Sequence, residues 1–94
     1  MENDVNLQGM TPPNSLEAEK SVLGAMLQDS TAVLQAVEQL RGDDFYQPAH
    51  KEIFECMLAL NRDQKPLDVV TVDAELSRRG TIEGIGGPQY LVEL

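Results

Sequence analysis

The chain has a single cysteine, no tryptophan, two phenylalanines, two tyrosines and only seven basic residues. Each shortage excludes something. One cysteine, Cys56, forms no internal disulfide and no cysteine-rich metal site. With Ile53, Met57 and Leu60 around it, Cys56 reads as a buried thiol on the apolar face of a helix, acting as a small hydrophobe. A reactive nucleophile needs a nearby base or positive charge, and His50 lies off its line on a helix. The scarcity of bases is more decisive. Seven Lys and Arg stand against sixteen Asp and Glu, a formal net charge of −9. Neutralising phosphates dominates nucleic-acid affinity, so a chain whose only adjacent basic pair is Arg78-Arg79 is not expected to bind DNA or RNA directly. Long apolar runs are missing as well. No stretch approaches the roughly 20 residues of a membrane-spanning helix. Met1 to Gln8 is acidic and polar, unlike a signal peptide. These features predict a cytoplasmic protein without membrane contact.

Catalytic signatures are also missing. A phosphate-binding P-loop needs Gly before its Lys and Ser or Thr after it, whereas Lys20, Lys51 and Lys65 follow Glu19, His50 and Gln64. The stretch Gly84-Ile85-Gly86-Gly87-Pro88 lacks the preceding strand and βαβ unit of a dinucleotide loop, and reads as a turn into a final helix. His50 with Asp43 and Asp44 is a poor metal set. Asp43 or Asp44 is expected to cap its local turn, and His50 to bond the loop before its helix. No serine sits on a Gly-x-Ser-x-Gly turn. Glu17 and Glu19 fall on different sides of a helix and read as a solvated face. No catalytic, cofactor-binding, metal or nucleic-acid site is predicted.

What is present is helical periodicity. The 94 residues suit one domain with one modest core. Residues 1–13, with Gly9 and Pro12-Pro13, read as a flexible arm, or as a segment whose Val5, Leu7 and Met10 dock on a neighbour. Residues 14–94 read as the folded domain. Asn14 is the expected N-cap of a first helix, with Glu17 completing a capping box and Leu16, Leu23, Met26 and Leu27 facing inward. Gly24 marks either a close approach by another helix or a weak spot. A second helix starts after Asp29 or Ser30, carries Val33, Leu34, Val37 and Leu40, and is closed by Gly42. Phe45 and Tyr46 follow in a loop and are expected to plug the core. A third helix spans about Pro48 to Asn61, with Ile53, Phe54, Met57, Leu58 and Leu60. Val69-Val70-Thr71-Val72 suits a strand by propensity, but it has no partner strand. Asp68 as N-cap, Leu76 in register and Gly80 as stop favour a helix over 69–79. A last helix presents Tyr90, Leu91 and Leu94 inward after a turn at Gly87. The stop at Leu94, mid-helix and uncapped, suggests a piece of a longer chain.

Four blocks go further. Pro13-Asn14-Ser15-Leu16-Glu17-Ala18-Glu19 with Ser21-Val22-Leu23-Gly24-Ala25-Met26-Leu27 comes first. Asp44-Phe45-Tyr46 with His50 and Ile53-Phe54 follows, then Pro66-Leu67-Asp68-Val69-Val70-Thr71-Val72. Gly80, Ile85-Gly86-Gly87, Tyr90-Leu91 and Leu94 close the series. In this order, over about residues 12–94, they resemble the opening of DnaB-like replicative DNA helicases. The resemblance implies an all-α, compact orthogonal bundle of about five short helices, without the complete C-terminal helical hairpin. It implies Leu16, Leu23, Leu27, Phe45, Ile53, Phe54, Met57, Leu76, Tyr90 and Leu91 as core, with Asn14, Asp68, Gly80 and Gly87 at caps and turns.

It further implies an assembly and docking domain of a hexameric helicase. Its partners would be other helicase subunits, arranged as a trimer of dimers in a collar, together with primase and a helicase loader. ATP and Mg would belong to the parent's motor domain, not to this stretch. The isolated chain is expected to be a monomer or weak dimer. The competing expectation is a free-standing acidic adaptor or antagonist that mimics such a head.

Overall fold

Five helices and one 3-10 turn make up the regular structure of residues 14–94, which a computed structural model describes. The 1–13 arm lies outside the described residues. Helix α1 runs Leu16–Gln28 and α2 runs Ser30–Gln39. Asp29 alone joins them. Its extended backbone ends α1, and its carboxylate accepts the Thr31 N–H at 2.9 Å, which starts α2. A 3-10 turn over Gly42–Asp44 leads to α3, Pro48–Arg62. Proline at the first helical position needs no N–H partner there. Helix α4 spans Val69–Arg79 and α5 spans Gly87–Val92. No strand occurs among the described residues, so the fold is all-α.

The β-branched run at 69–72 is helical because its ends are specified. Asp68 Oδ1 accepts the Thr71 N–H at 2.8 Å, and Thr71 Oγ1 accepts the Asp68 N–H at 3.0 Å, a reciprocal capping box. Gly80 then turns left-handed, φ 78°, and the Thr81 N–H returns to the Leu76 carbonyl at 2.9 Å. Val72 and Leu76 face inward, and Val70 is exposed.

Helix α3 is central, touching α1, the 3-10 turn and α4, while α5 packs on α4. Ile53, Phe54, Cys56 and Met57 on α3 meet Leu23 and Met26 of α1, Val72 and Leu76 of α4, and Leu91 of α5 in one apolar cluster. The rings of Phe45 and Phe54 lie 4.8 Å apart at a tilt of 33°. Leu27 and Tyr90 are only partly buried against this cluster. At Gly24 a side chain would meet the backbone of Leu94 at 2.8 Å, so the bare α-carbon admits the end of the α5 segment.

Several expectations need correction. Asn14 is not the cap of α1. Ser15 is, in extended backbone, its Oγ accepting the Ala18 N–H at 3.0 Å. The helix therefore starts one residue later, and Leu16, its first residue, remains 47 % exposed rather than in the core. Gly42 does not close α2. That helix ends at Gln39 with Leu40 turning extended and buried, and Gly42 instead opens the 3-10 turn beneath the Glu55 carboxylate. On α2, Leu34 points to solvent, while Ala32 and Ala36 join Val33 inside. Tyr46 does not plug the core. It is 89 % exposed, while its neighbour Phe45 is buried.

Candidate functional site

Beneath exposed Tyr46 lies a buried polar network built from three helices. Glu19 shares the inward stripe of α1 with Val22, Leu23 and Met26, and His50 shares that of α3 with Ile53, Phe54 and Met57. Both are sealed from water, Glu19 at 2 % exposed and His50 at 1 %. Buried ionisable groups must be paired, and these two are. His50 Nδ1 lies 2.7 Å from Glu19 Oε1. The same carboxylate accepts the Tyr46 N–H at 2.7 Å and the Gln47 N–H at 3.3 Å. On the far side His50 Nε2 meets the Tyr90 hydroxyl of α5.

The chemistry fixes the direction of these bonds. A carboxylate only accepts, so Nδ1 must carry a proton. With neutral imidazole, Nε2 accepts from the Tyr90 O–H. With imidazolium, Nε2 donates to the phenol oxygen. Burial acts to raise the pKa of Glu19, but the bonds from His50, Tyr46 and Gln47 carry it below the ordinary carboxylate value. Burial, with the negative charges of Glu19, Glu93 and Glu17, raises that of Tyr90.

A carboxylate, imidazole and hydroxyl in series have the parts of an acid–base relay. Here the cleft that opens nearby, about 220 Å³, is lined by Glu19, Asn14, Ser15, Leu16, Tyr46 and Gln47, and by neither His50 nor Tyr90. The series ends on α5 and ties it to α1 and to the start of α3. Sequence reasoning assigned Glu19 to a solvated face and His50 to the preceding loop. Both are corrected: Glu19 bonds that loop, and His50 bonds Glu19 and Tyr90. The signal was present, since one acid and one imidazole each interrupt an apolar stripe at helical spacing.

The other singled-out groups do not converge. Asp43 pairs with Lys51 at 2.8 Å, and Asp44 caps its own turn by accepting the Arg41 N–H at 2.8 Å. Both ring nitrogens of His50 are taken by Glu19 and Tyr90, and no cluster of three metal-ligating side chains occurs among the described residues. Cys56 is buried, its thiol pushed up to about 11 by desolvation. Arg79 lies 3.1 Å from Glu75 and 3.3 Å from Glu52, linking α4 to α3, while Arg78 holds Glu75 at 2.7 Å. These hydrogen bonds hold Glu75 down at about 2. A second open cleft, about 360 Å³, lies between the end of α1, the start of α2 and the end of α3, lined by Leu27, Val33, Leu34, Lys65 and Leu67 among others. No described helix is long and apolar enough to cross a membrane.

Comparison with known proteins supplies the family. The profile of the DnaB-like helicase N terminal domain matches residues 11–94. The replicative DNA helicase DnaB of Mycobacterium leprae is 48 % identical over 83 residues, 88 % of this chain and 14 % of that protein. The DnaB of Geobacillus stearothermophilus is also 48 % identical over 83 residues, 88 % of this chain and 18 % of its own length. This chain thus spans less than a fifth of those relatives. Among solved structures, the N-terminal domain of DnaB helicase from Mycobacterium tuberculosis superposes with a TM-score of 0.83 at 47 % identity, covering 88 % of this chain and 60 % of that one. Sequence and fold agree over the same helices, and the chain belongs to the family of DnaB-like helicase N-terminal domains.

Proposed function

We propose that the chain is a non-catalytic assembly and docking domain of a hexameric replicative DNA helicase. The observation that carries this is the match of residues 11–94 to the N-terminal domain family, whose similar full-length relatives are replicative helicases. Two features support a role without chemistry. None of the three lysines sits in a P-loop. The buried acid–imidazole–phenol series joins helices, and of its members only Glu19, not His50 or Tyr90, lines the cleft beside it.

In this reading the domain contributes to an N-terminal collar of paired heads and offers surface to primase and to a loader. ATP, Mg²⁺ and DNA belong to a motor domain elsewhere in a cytoplasmic parent at the replication fork. The net charge of −9 suits that division, because it discourages phosphate contact. The isolated chain is a monomer or weak dimer.

The test is biolayer interferometry with the chain immobilised and the primase and helicase loader of the source cell offered in turn, beside single- and double-stranded DNA. Saturable binding of either protein, without DNA binding at low salt, is expected. DNA binding with neither protein bound would overturn the reading.

A further inference from the structure

We draw no further inference here: the strongest candidate, the open cleft of about 360 Å³ between the end of α1, the start of α2 and the end of α3, with Leu34 61 % exposed on its wall, carries nothing because its lining holds both Asp29 and Lys65, so charge selects no occupant, and nothing in the structure shows what covers it.

Discussion

His50 Nδ1 lies 2.7 Å from Glu19 Oε1, joining helices whose partner residues are 31 positions apart, with both side chains almost wholly shielded from water. The pair depends on a full negative charge, because one carboxylate answers three donors. Glu19→Gln keeps the shape but turns an N–H₂ group toward at least one of those donors. The expected cost is about 2–3 kcal/mol, the range for losing hydrogen bonds to a buried charged group. Urea unfolding of the variant against the parent chain measures it, and a loss below about 0.5 kcal/mol would refute the central role given to this carboxylate.

Stability should fall in acid, and the sign follows from the carboxylates. Glu19 is held below its ordinary 4.5, and Glu75 is held at about 2 by Arg78 and Arg79. A carboxylate with a depressed folded-state pKa stabilises the fold above its unfolded value and loses that contribution as pH drops through the folded value. Urea midpoints should therefore decline between about pH 5 and about pH 2. Glu19→Gln should make the decline shallower. A midpoint that rises on acidification would contradict the assignment.

Phe54 and Leu16 should respond oppositely to truncation, although both were expected in the core. Phe54 has no exposed surface and stacks on Phe45, so Phe54→Ala is expected to cost about 3–5 kcal/mol. Leu16→Ala, at the exposed start of α1, is expected to cost less than about 1 kcal/mol. Thermal unfolding of the two variants distinguishes them at once, and equal losses would place Leu16 back in the core.

Cys56 should be unreactive while the chain is folded. Its thiol is raised to about 11, which cuts the thiolate present at neutral pH by about a hundredfold relative to an ordinary cysteine. An aromatic disulfide reagent should label it only after urea is added. Rapid labelling of the folded chain would mean that α3 and α4 open locally.

The helices were legible because local and global signals agree. Asp68 and Gly80 mark both ends of α4, and this bracketing outweighs the strand propensity of Val69-Val70-Thr71-Val72. Pro48 marks the start of α3 in the same way. The misreadings are matters of one residue or one rotation. Asn14 and Ser15 are both good caps, and only the fold selects Ser15, which decides whether Leu16 is inside. Phe45 and Tyr46 look alike in sequence, yet one is buried and the other exposed. The polar network is hard to see in sequence because Glu19, beside Glu17, looks like a helix-surface charge, and only the packing of α1 on α3 brings it to His50. The cleft beside Tyr46 was beyond sequence reasoning, since it is made by segments brought together only in space.

Glu19 also stands in for a cap that α3 lacks. Gln47, at the head of α3, makes no side-chain cap of its own, and the carboxylate that serves the Tyr46 and Gln47 N–H groups comes from α1. A negative group there also suits the positive end of the α3 dipole. Fraying of the first turn of α3 is thereby made conditional on α1 leaving. At this corner, hydrogen–deuterium exchange has no small fluctuation to use, and the protons on these two amides become reporters of whole-domain opening rather than of a loop.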